Sequence, residues 1–137
     1  MKRVTAEDLW VMAQAMWGEA RGEGTDGLGA VALVIWNRSQ DSRWARFSIA
    51  GICRQAWQFS VWNVGDPNRT KMLALSLDDN LFCACLRMAL DVLTGAQADY
   101  THGATHYYAE TIASPYWAEG HEPVAHIGHH LFFAGIA

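Results

Sequence analysis

The side chain with the clearest chemical potential is Glu19, which lies in a glycine-rich stretch at residues 18–24. Met16 and Trp17 precede it, and apolar surroundings of that kind raise the pKa of a carboxyl group and keep it protonated near neutral pH. A protonated carboxyl can donate to the bridging oxygen of a glycosidic bond, and Gly18 would leave room for a sugar ring. The alternative is an ordinary exposed glutamate at a helix end, which this local pattern alone favours.

Two other acids could supply the second carboxylate of a two-carboxylate hydrolase. Glu23 belongs to the same stretch, but Arg21 stands between the two glutamates and can pair with either. A turn-stabilising ion pair is therefore the more economical account of Glu23. Asp66 is a weaker candidate.

Aromatic and amide side chains cluster around Ser60, and sugar-binding surfaces combine flat aromatic faces with hydrogen-bonding groups. Some of these aromatic residues must belong to the core. We expect Gln58, Ser60 and Trp62 to face solvent and bind substrate. Burial is more in keeping with Trp57 and Phe59.

Histidines and cysteines point to no further chemistry. The 6 histidines show no His-Glu-x-x-His pattern, and adjacent His129 and His130 in a strand would point to opposite faces, so no metal site is predicted. No cofactor is predicted either. Cys83 and Cys85 fall in an apolar helical segment where thiols stay protonated, and with Cys53 they are expected to be reduced and buried.

Helices must position most of these residues. Thr5 and Asp8 resemble a capping box, and the apolar spacing after them predicts a first helix to about Trp17, with Glu19 at its C-terminal lip. A second helix is predicted over 28–36, ending near 37–38, with Asp26 as a possible N-cap. A short helix is predicted over 49–55, with Ser48 as its cap. A further helix is predicted over 79–94, with Gly95 as its C-terminal cap. A strand is the alternative for 28–36. We expect the helix over 79–94 to form the centre of the core, and residues 58–68 to form an extended loop.

The C-terminal part has a different character. β-forming residues occur at 105–108, and a hairpin is predicted from the segments 124–127 and 130–133, which flank Gly128 and His129. The predicted class is α+β, dominated by helices, with a small antiparallel β element near the C-terminus. No repeat or linker divides the chain, so residues 1–137 are predicted to form a single domain.

Composition excludes several function classes. Hydrophobic residues make up 51% of the chain and charged residues 18%, as in a folded globular protein. The net charge of -4, without a basic run, argues against nucleic-acid binding. No apolar stretch reaches the roughly 20 residues that span a bilayer, so stable membrane insertion is not expected. The N-terminus lacks the apolar core of a signal peptide, which predicts a protein made in the cytoplasm.

Taken in order along the chain, several motifs together resemble the SleB/CwlJ-type cell-wall hydrolases, a family that includes spore-cortex-lytic enzymes and phage lysis proteins. The resemblance covers nearly the whole chain, and the ordered set is more specific than any one motif. The motifs are Trp17-Gly18-Glu19-Ala20-Arg21-Gly22-Glu23-Gly24, the segment from Val31 to Asn37-Arg38, Gln58-Phe59-Ser60, Gly103-Ala104-Thr105-His106-Tyr107-Tyr108-Ala109, and Ile127-Gly128-His129-His130-Leu131-Phe132-Phe133.

The resemblance implies a lysozyme-like domain that cleaves the β-1,4 bond between N-acetylmuramic acid and N-acetylglucosamine in peptidoglycan glycan strands, typically as a lytic transglycosylase. It implies that Glu19 is the catalytic acid, and His106, Tyr107 and Tyr108 would line the cleft. Strand alternation places His106 and Tyr108 on one face, and these two are the predicted substrate-binding residues.

Spore enzymes of this type commonly have an export signal and often a separate wall-binding domain, and residues 1–137 predict neither. We therefore expect a phage or prophage endolysin that reaches the cell wall through a pore made by another protein. Three alternatives stay open: a hydrolytic muramidase assisted by Glu23 or Asp66, a non-catalytic wall-binding module, and a metal-dependent amidase or peptidase. The products, sacculus clearing and sensitivity to chelators distinguish them.

Overall fold

The computed structural model describes residues 3–55 and 59–137. Within these ranges, α-helices occupy the N-terminal two-thirds and a small antiparallel sheet follows, so the prediction of a helix-dominated α+β fold is confirmed. The helices are α1 (Ala6–Ala20), α2 (Gly24–Gln40), α3 (Ile49–Arg54), α4 (Arg69–Leu73) and α5 (Asn80–Leu93), the strands are β1 (His106–Ala109), β2 (Ala125–Ile127) and β3 (His130–Phe133), and two 3₁₀ turns are formed by Ser60–Trp62 and Tyr116–Ala118.

The predicted capping box at the start of α1 is confirmed. The Thr5 hydroxyl accepts a hydrogen bond from the Asp8 backbone N–H at 3.2 Å, and the Asp8 carboxylate accepts from the Thr5 N–H at 2.9 Å. The second Asp8 oxygen accepts from the Ala50 N–H at 2.9 Å, which ties α1 to the start of α3. The helix continues beyond the predicted end at Trp17, and Glu19 therefore lies in its last turn.

The prediction that the helix over 79–94 forms the centre of the core is wrong, because α1 and α2 hold that position. Every residue from Gly27 to Ile35 is buried, and α2 contacts α1, α3 and α5. Small residues allow this close packing: a Cβ added at Gly29 would collide with the Tyr100 hydroxyl and lie 3.0 Å from the Met88 sulfur. In contrast, α5 buries one stripe of side chains and exposes others, including Leu90.

The prediction of Asp26 as the N-cap of α2 is also wrong, since the helix begins at Gly24. The backbone carbonyl of Asp26 accepts a hydrogen bond from the Tyr100 hydroxyl at 2.7 Å. Glu23 occupies the cap position and makes no capping bond, because its carboxylate is used elsewhere.

The caps predicted for the other two helices, Ser48 at the start of α3 and Gly95 after the end of α5, are confirmed. The Ser48 hydroxyl accepts from the Gly51 N–H at 2.9 Å at the start of α3, and the Asp79 carboxylate accepts from the Phe82 N–H at 2.7 Å at the start of α5. Gly95 follows α5 with a φ of +80°, a left-handed conformation that ends a helix and favours glycine.

The strands form an antiparallel sheet in the order β1-β3-β2, and β2 and β3 form the predicted hairpin. Buried Phe132 of β3 packs with Ala30 and Val34 of α2, which fixes the sheet against the central helix. In β1, His106 lies opposite Phe133. The sheet thereby brings the side chains of β1 to the helical layer that holds Glu19.

Candidate active site

Glu19 is a partly buried carboxyl group at the C-terminal end of α1. Burial raises its pKa from the ordinary value of 4.5 to about 7, because the protein interior disfavours the charged form. A backbone hydrogen bond from Ser60 acts in the opposite direction, the negative charge of Asp66 raises the pKa further, and the positive charge of Arg38 lowers it. The carboxyl group is thus available as a proton donor near neutral pH.

Gly18 determines how the first 3₁₀ turn meets α1. A Cβ added at Gly18 would lie 2.6 Å from the side chain of Val61, so the turn rests directly on the glycine. This close approach brings the Ser60 backbone to Glu19. The expectation that Gly18 leaves room for a sugar ring is wrong, because Val61 fills that space.

Arg38, at the end of α2, supplies a buried positive charge to the site. Its Nε donates to the backbone carbonyl of Thr105 at 2.7 Å, and its guanidinium lies over the rings of Trp44 at 5.1 Å and Phe59 at 5.4 Å. Desolvation lowers the pKa of this group. The candidate functional residues named from the sequence do not include Arg38, although one of the family motifs ends on it.

Tyr107 of β1 is close enough to Glu19 to interact with it electrostatically. Burial is the main cause that raises the pKa of its hydroxyl, and the charge of Glu19 adds to it. Tyr107 is therefore a neutral hydrogen-bonding group between the site and the sheet. The family resemblance places Tyr107 in the cleft, but the predicted binding residues are its neighbours His106 and Tyr108.

Glu23 lies at the hairpin, where it holds two parts of the fold together. Its carboxylate oxygens lie 3.1 Å from His130 Nδ1 and 3.2 Å from the backbone N–H of His129, which donates to it. The expected pairing of Arg21 with either glutamate is wrong, because Arg21 donates to the Asn68 side chain at 2.9 Å. Its guanidinium also lies 4.5 Å from the centre of the Trp17 ring.

The predicted binding residues of the 58–68 segment lie in different surroundings. Ser60 is exposed and its backbone is next to Glu19. Trp62 is half-buried under the Arg54 guanidinium at 5.3 Å, and its indole N–H is enclosed without a hydrogen-bond partner. Gln58 and Trp57 lie outside the described residues. From Phe59 onward this segment folds into a 3₁₀ turn and further turns, so it is less extended than predicted.

The predicted alternation along β1 is confirmed, because the rings of His106 and Tyr108 both contact Trp117, at 5.0 and 5.8 Å between ring centroids. His106 lines a cavity together with Arg38 and Tyr107. Tyr108 stacks on Phe133 at 5.5 Å and is not among the residues that line this cavity. Their roles in substrate binding stay predictions.

Two other histidines, His126 and His129, and the buried cysteines Cys53 and Cys85 take structural positions. His126 and His129 flank the Glu110 carboxylate at 2.8 and 3.2 Å. Across residues 3–55 and 59–137, no group of three or more His, Cys, Asp or Glu side chains is arranged to hold a metal ion. Burial raises the pKa of the Cys53 and Cys85 thiols to about 12, which makes them poor nucleophiles. No helix in the same two ranges is long and apolar enough to cross a membrane.

A helix-dominated α+β fold with a small antiparallel sheet places the chain in the lysozyme-like class. Residues 22–133 match the family model for cell wall hydrolases, and the chain therefore belongs to the cell wall hydrolase family. The resemblance to the SleB/CwlJ type is confirmed. The matched range begins at residue 22 and does not include Glu19, so the match supports the family and gives no information on the candidate acid.

Curated relatives include two spore cortex-lytic enzymes. The one from Halalkalibacterium halodurans is 32% identical over 125 residues, which cover 91% of this chain and 34% of that protein. The one from Bacillus subtilis is 30% identical over 129 residues, which cover 91% of this chain and 37% of that protein. The chain thus spans little more than a third of the length of these relatives.

Two solved structures share the fold. The catalytic domain of the Bacillus cereus SleB protein matches with a TM-score of 0.77 and 25% identity, covering 96% of this chain and 93% of that one. The catalytic domain of the germination-specific lytic transglycosylase SleB from Bacillus anthracis matches with a TM-score of 0.74 and 25% identity, covering 96% and 98%. The match to these catalytic domains confirms the predicted lysozyme-like fold.

Proposed function

We propose that the chain degrades peptidoglycan by cleaving the β-1,4 bond between N-acetylmuramic acid and N-acetylglucosamine, as a lytic transglycosylase in which Glu19 is the general acid and base. The observation that carries this proposal is the raised pKa of Glu19, about 7, at the end of α1. The similar Bacillus anthracis domain is a lytic transglycosylase, which supports the same reaction here.

In the first step, the protonated Glu19 carboxyl gives its proton to the bridging oxygen. The bond between that oxygen and the anomeric carbon of muramic acid breaks, and an oxocarbenium-like centre develops on the sugar. Glu19 becomes a carboxylate in the same step. The positive charge of Arg38 and the backbone hydrogen bond from Ser60 both favour this ionised form, so they lower the energy of the charge that develops on the acid.

In the second step, the Glu19 carboxylate takes a proton from the 6-hydroxyl of the same muramic acid. The oxygen of that hydroxyl bonds to the anomeric carbon and gives a 1,6-anhydro product. Glu19 is protonated again and ready for another turnover. One acid/base group is sufficient for this cycle because the substrate supplies its own nucleophile.

Hydrolysis by a muramidase is the second candidate, and the position of Asp66 favours it. The charge of Asp66 is close enough to raise the pKa of Glu19, so this loop carboxylate could orient a water molecule at the same site. Its Oδ1 accepts from the Asn68 N–H at 2.9 Å, which holds the carboxylate in place. The products separate the two reactions.

The test is a digestion of purified sacculi by the wild-type protein, by Glu19→Gln and by the control Glu122→Gln, which makes the same change at an exposed position. Mass spectrometry of the released fragments should find anhydromuramic ends with the wild type and the control, and none with Glu19→Gln. Reducing muramic ends would support the muramidase. Full activity in Glu19→Gln would refute the role of Glu19, and loss of activity with EDTA would point to a metal-dependent enzyme.

The roles as a phage or prophage endolysin and in partnership with a separate pore-forming protein stay predictions. Expression in bacteria with and without a protein that permeabilises the inner membrane tests both. Lysis only in its presence would support them, whereas lysis without it would show that the chain reaches the wall by another route.

A further inference from the structure

A cavity of about 380 Å³ is lined in part by residues of the candidate active site. Its volume falls in the usual range of ligand pockets, roughly 300–1,000 Å³. The lining side chains that carry recognition chemistry are Arg38, His106, Tyr107, Tyr116 and Trp117. Arg38 and Tyr107 also interact electrostatically with Glu19, so the cavity shares two of its lining residues with the surroundings of the candidate acid.

Aromatic rings form the wall and the rim of this cavity. Trp117 is fixed by ring contacts with His106 at 5.0 Å and with Phe133 at 5.3 Å. Tyr116, which precedes it in the same 3₁₀ turn, is 89% exposed. Among the large hydrophobic residues that are exposed in the described part of the chain, Tyr116 is the one aromatic residue. An exposed aromatic ring beside a rigid one is typical of a surface that stacks on a ligand.

The polar groups of the cavity are also held in place before any ligand binds. His106 Nδ1 lies 2.9 Å from the Thr105 hydroxyl, and the Thr105 carbonyl accepts from Arg38. Burial and the charges of Arg38 and Arg43 lower the pKa of His106 to about 4, so its ring is neutral at neutral pH. A neutral imidazole with one nitrogen already engaged can offer the other to a sugar hydroxyl or amide.

We propose that this cavity is a sugar subsite, in which a pyranose ring of the glycan strand stacks on Tyr116 and Trp117 and is hydrogen-bonded by His106. The proposal rests on the proposed function, because it assigns the ring that neighbours the bond cleaved at Glu19. Stacking uses the apolar face of the pyranose, and Arg38, which lines the cavity, brings a positive charge to it.

Binding is measured in the Glu19→Gln background, so that the probe is not cleaved. The probe is a tetramer of β-1,4-linked N-acetylglucosamine, titrated by calorimetry against the parent and its variants. Tyr116→Ala should weaken binding roughly tenfold, corresponding to about 1.4 kcal/mol of lost stacking. Tyr116→Phe keeps the ring and should bind as the parent does. Leu77→Ala, at a 67% exposed position outside the cavity, is the matched control and should also leave binding unchanged.

Equal affinity of the parent and Tyr116→Ala would overturn the subsite, as would failure of the parent to bind the tetramer. An equal loss in Tyr116→Phe would overturn stacking, because it would assign the effect to the hydroxyl. Sacculus cleavage by the wild type with the tyrosine intact is scored separately. If the wild type did not cleave sacculi, the proposed function would be refuted. A tetramer affinity that depends on Tyr116 would then still support the sugar subsite.

Discussion

Replacing Glu19 by glutamine should change the pH dependence of stability as well as activity. Burial raises the pKa of Glu19 from 4.5, the ordinary value that applies to the unfolded chain, to about 7 in the fold. Below pH 4.5 the carboxyl is protonated in both states, so its ionisation contributes nothing. Between these two values the unfolded chain ionises Glu19 while the fold keeps it protonated. Stability is therefore lost as the pH rises through this window, and the loss is complete above about pH 7.

The size of the loss follows from the two pKa values. Raising the pKa from 4.5 to about 7 corresponds to about 3 kcal/mol, because each tenfold change in the ionisation constant is 1.36 kcal/mol. Glu19→Gln removes the ionisation and replaces it with an offset that does not depend on pH. The stability of the variant relative to the wild type should therefore increase by about 3 kcal/mol between pH 4 and pH 9.

Urea denaturation of both proteins at several pH values measures this difference, and contributions from other titrating groups cancel when the two curves are subtracted. Glu122→Gln serves as the control, since the same change at an exposed position should give a difference that is flat with pH. A flat difference for Glu19→Gln as well would refute the argument that burial holds this carboxyl in its protonated form.

Two further predictions concern the surroundings of Glu19. Asp66→Asn removes a negative charge that raises the pKa of Glu19, so the alkaline limb of the activity profile should move to lower pH; an unchanged profile would contradict the electrostatic role of Asp66. Gly18→Ala should destabilise the fold by about 1–3 kcal/mol, because the added methyl group meets Val61 at 2.6 Å. Gly22→Ala is its control, since a Cβ there meets nothing within 4 Å, and equal urea midpoints for the two variants would show that the turn moves aside freely.

The features that the sequence predicted well depend on residues close together in the chain. The capping box of Thr5 and Asp8, the cap at Ser48 and the hairpin around Gly128 each involve a few neighbouring residues, and local patterns report such features directly. The central position of α2 depends instead on its glycine and alanine residues, whose small size admits neighbours from distant parts of the chain. The clear apolar stripe of α5 therefore led to the prediction that this helix is the centre of the core, although in the fold only one of its faces is buried.

The candidate site follows the same division. The type of residue and its neighbours drew attention to Glu19, but its pKa depends on groups from three other elements, Ser60, Asp66 and Arg38. Their proximity is produced by tertiary packing, above all by the contact between Gly18 and the first 3₁₀ turn. From the sequence, Gly18 predicts open space for a ligand. In the fold, the first 3₁₀ turn packs against it through Val61.

The two glutamates of residues 18–24 show how packing can give different chemistry to one residue type. Glu19 is enclosed where its ionised form is disfavoured, while Glu23 lies against His130 and the backbone N–H of His129. The second arrangement holds the carboxylate at the hairpin, since both of its oxygens are engaged there. Because the hairpin carries β3, which pairs with the strand of Tyr107, Glu23 can influence the site through the position of the sheet without contacting substrate. A loss of activity on changing Glu23 would thus be no evidence for a second catalytic carboxylate unless the fold of the hairpin were shown to be intact.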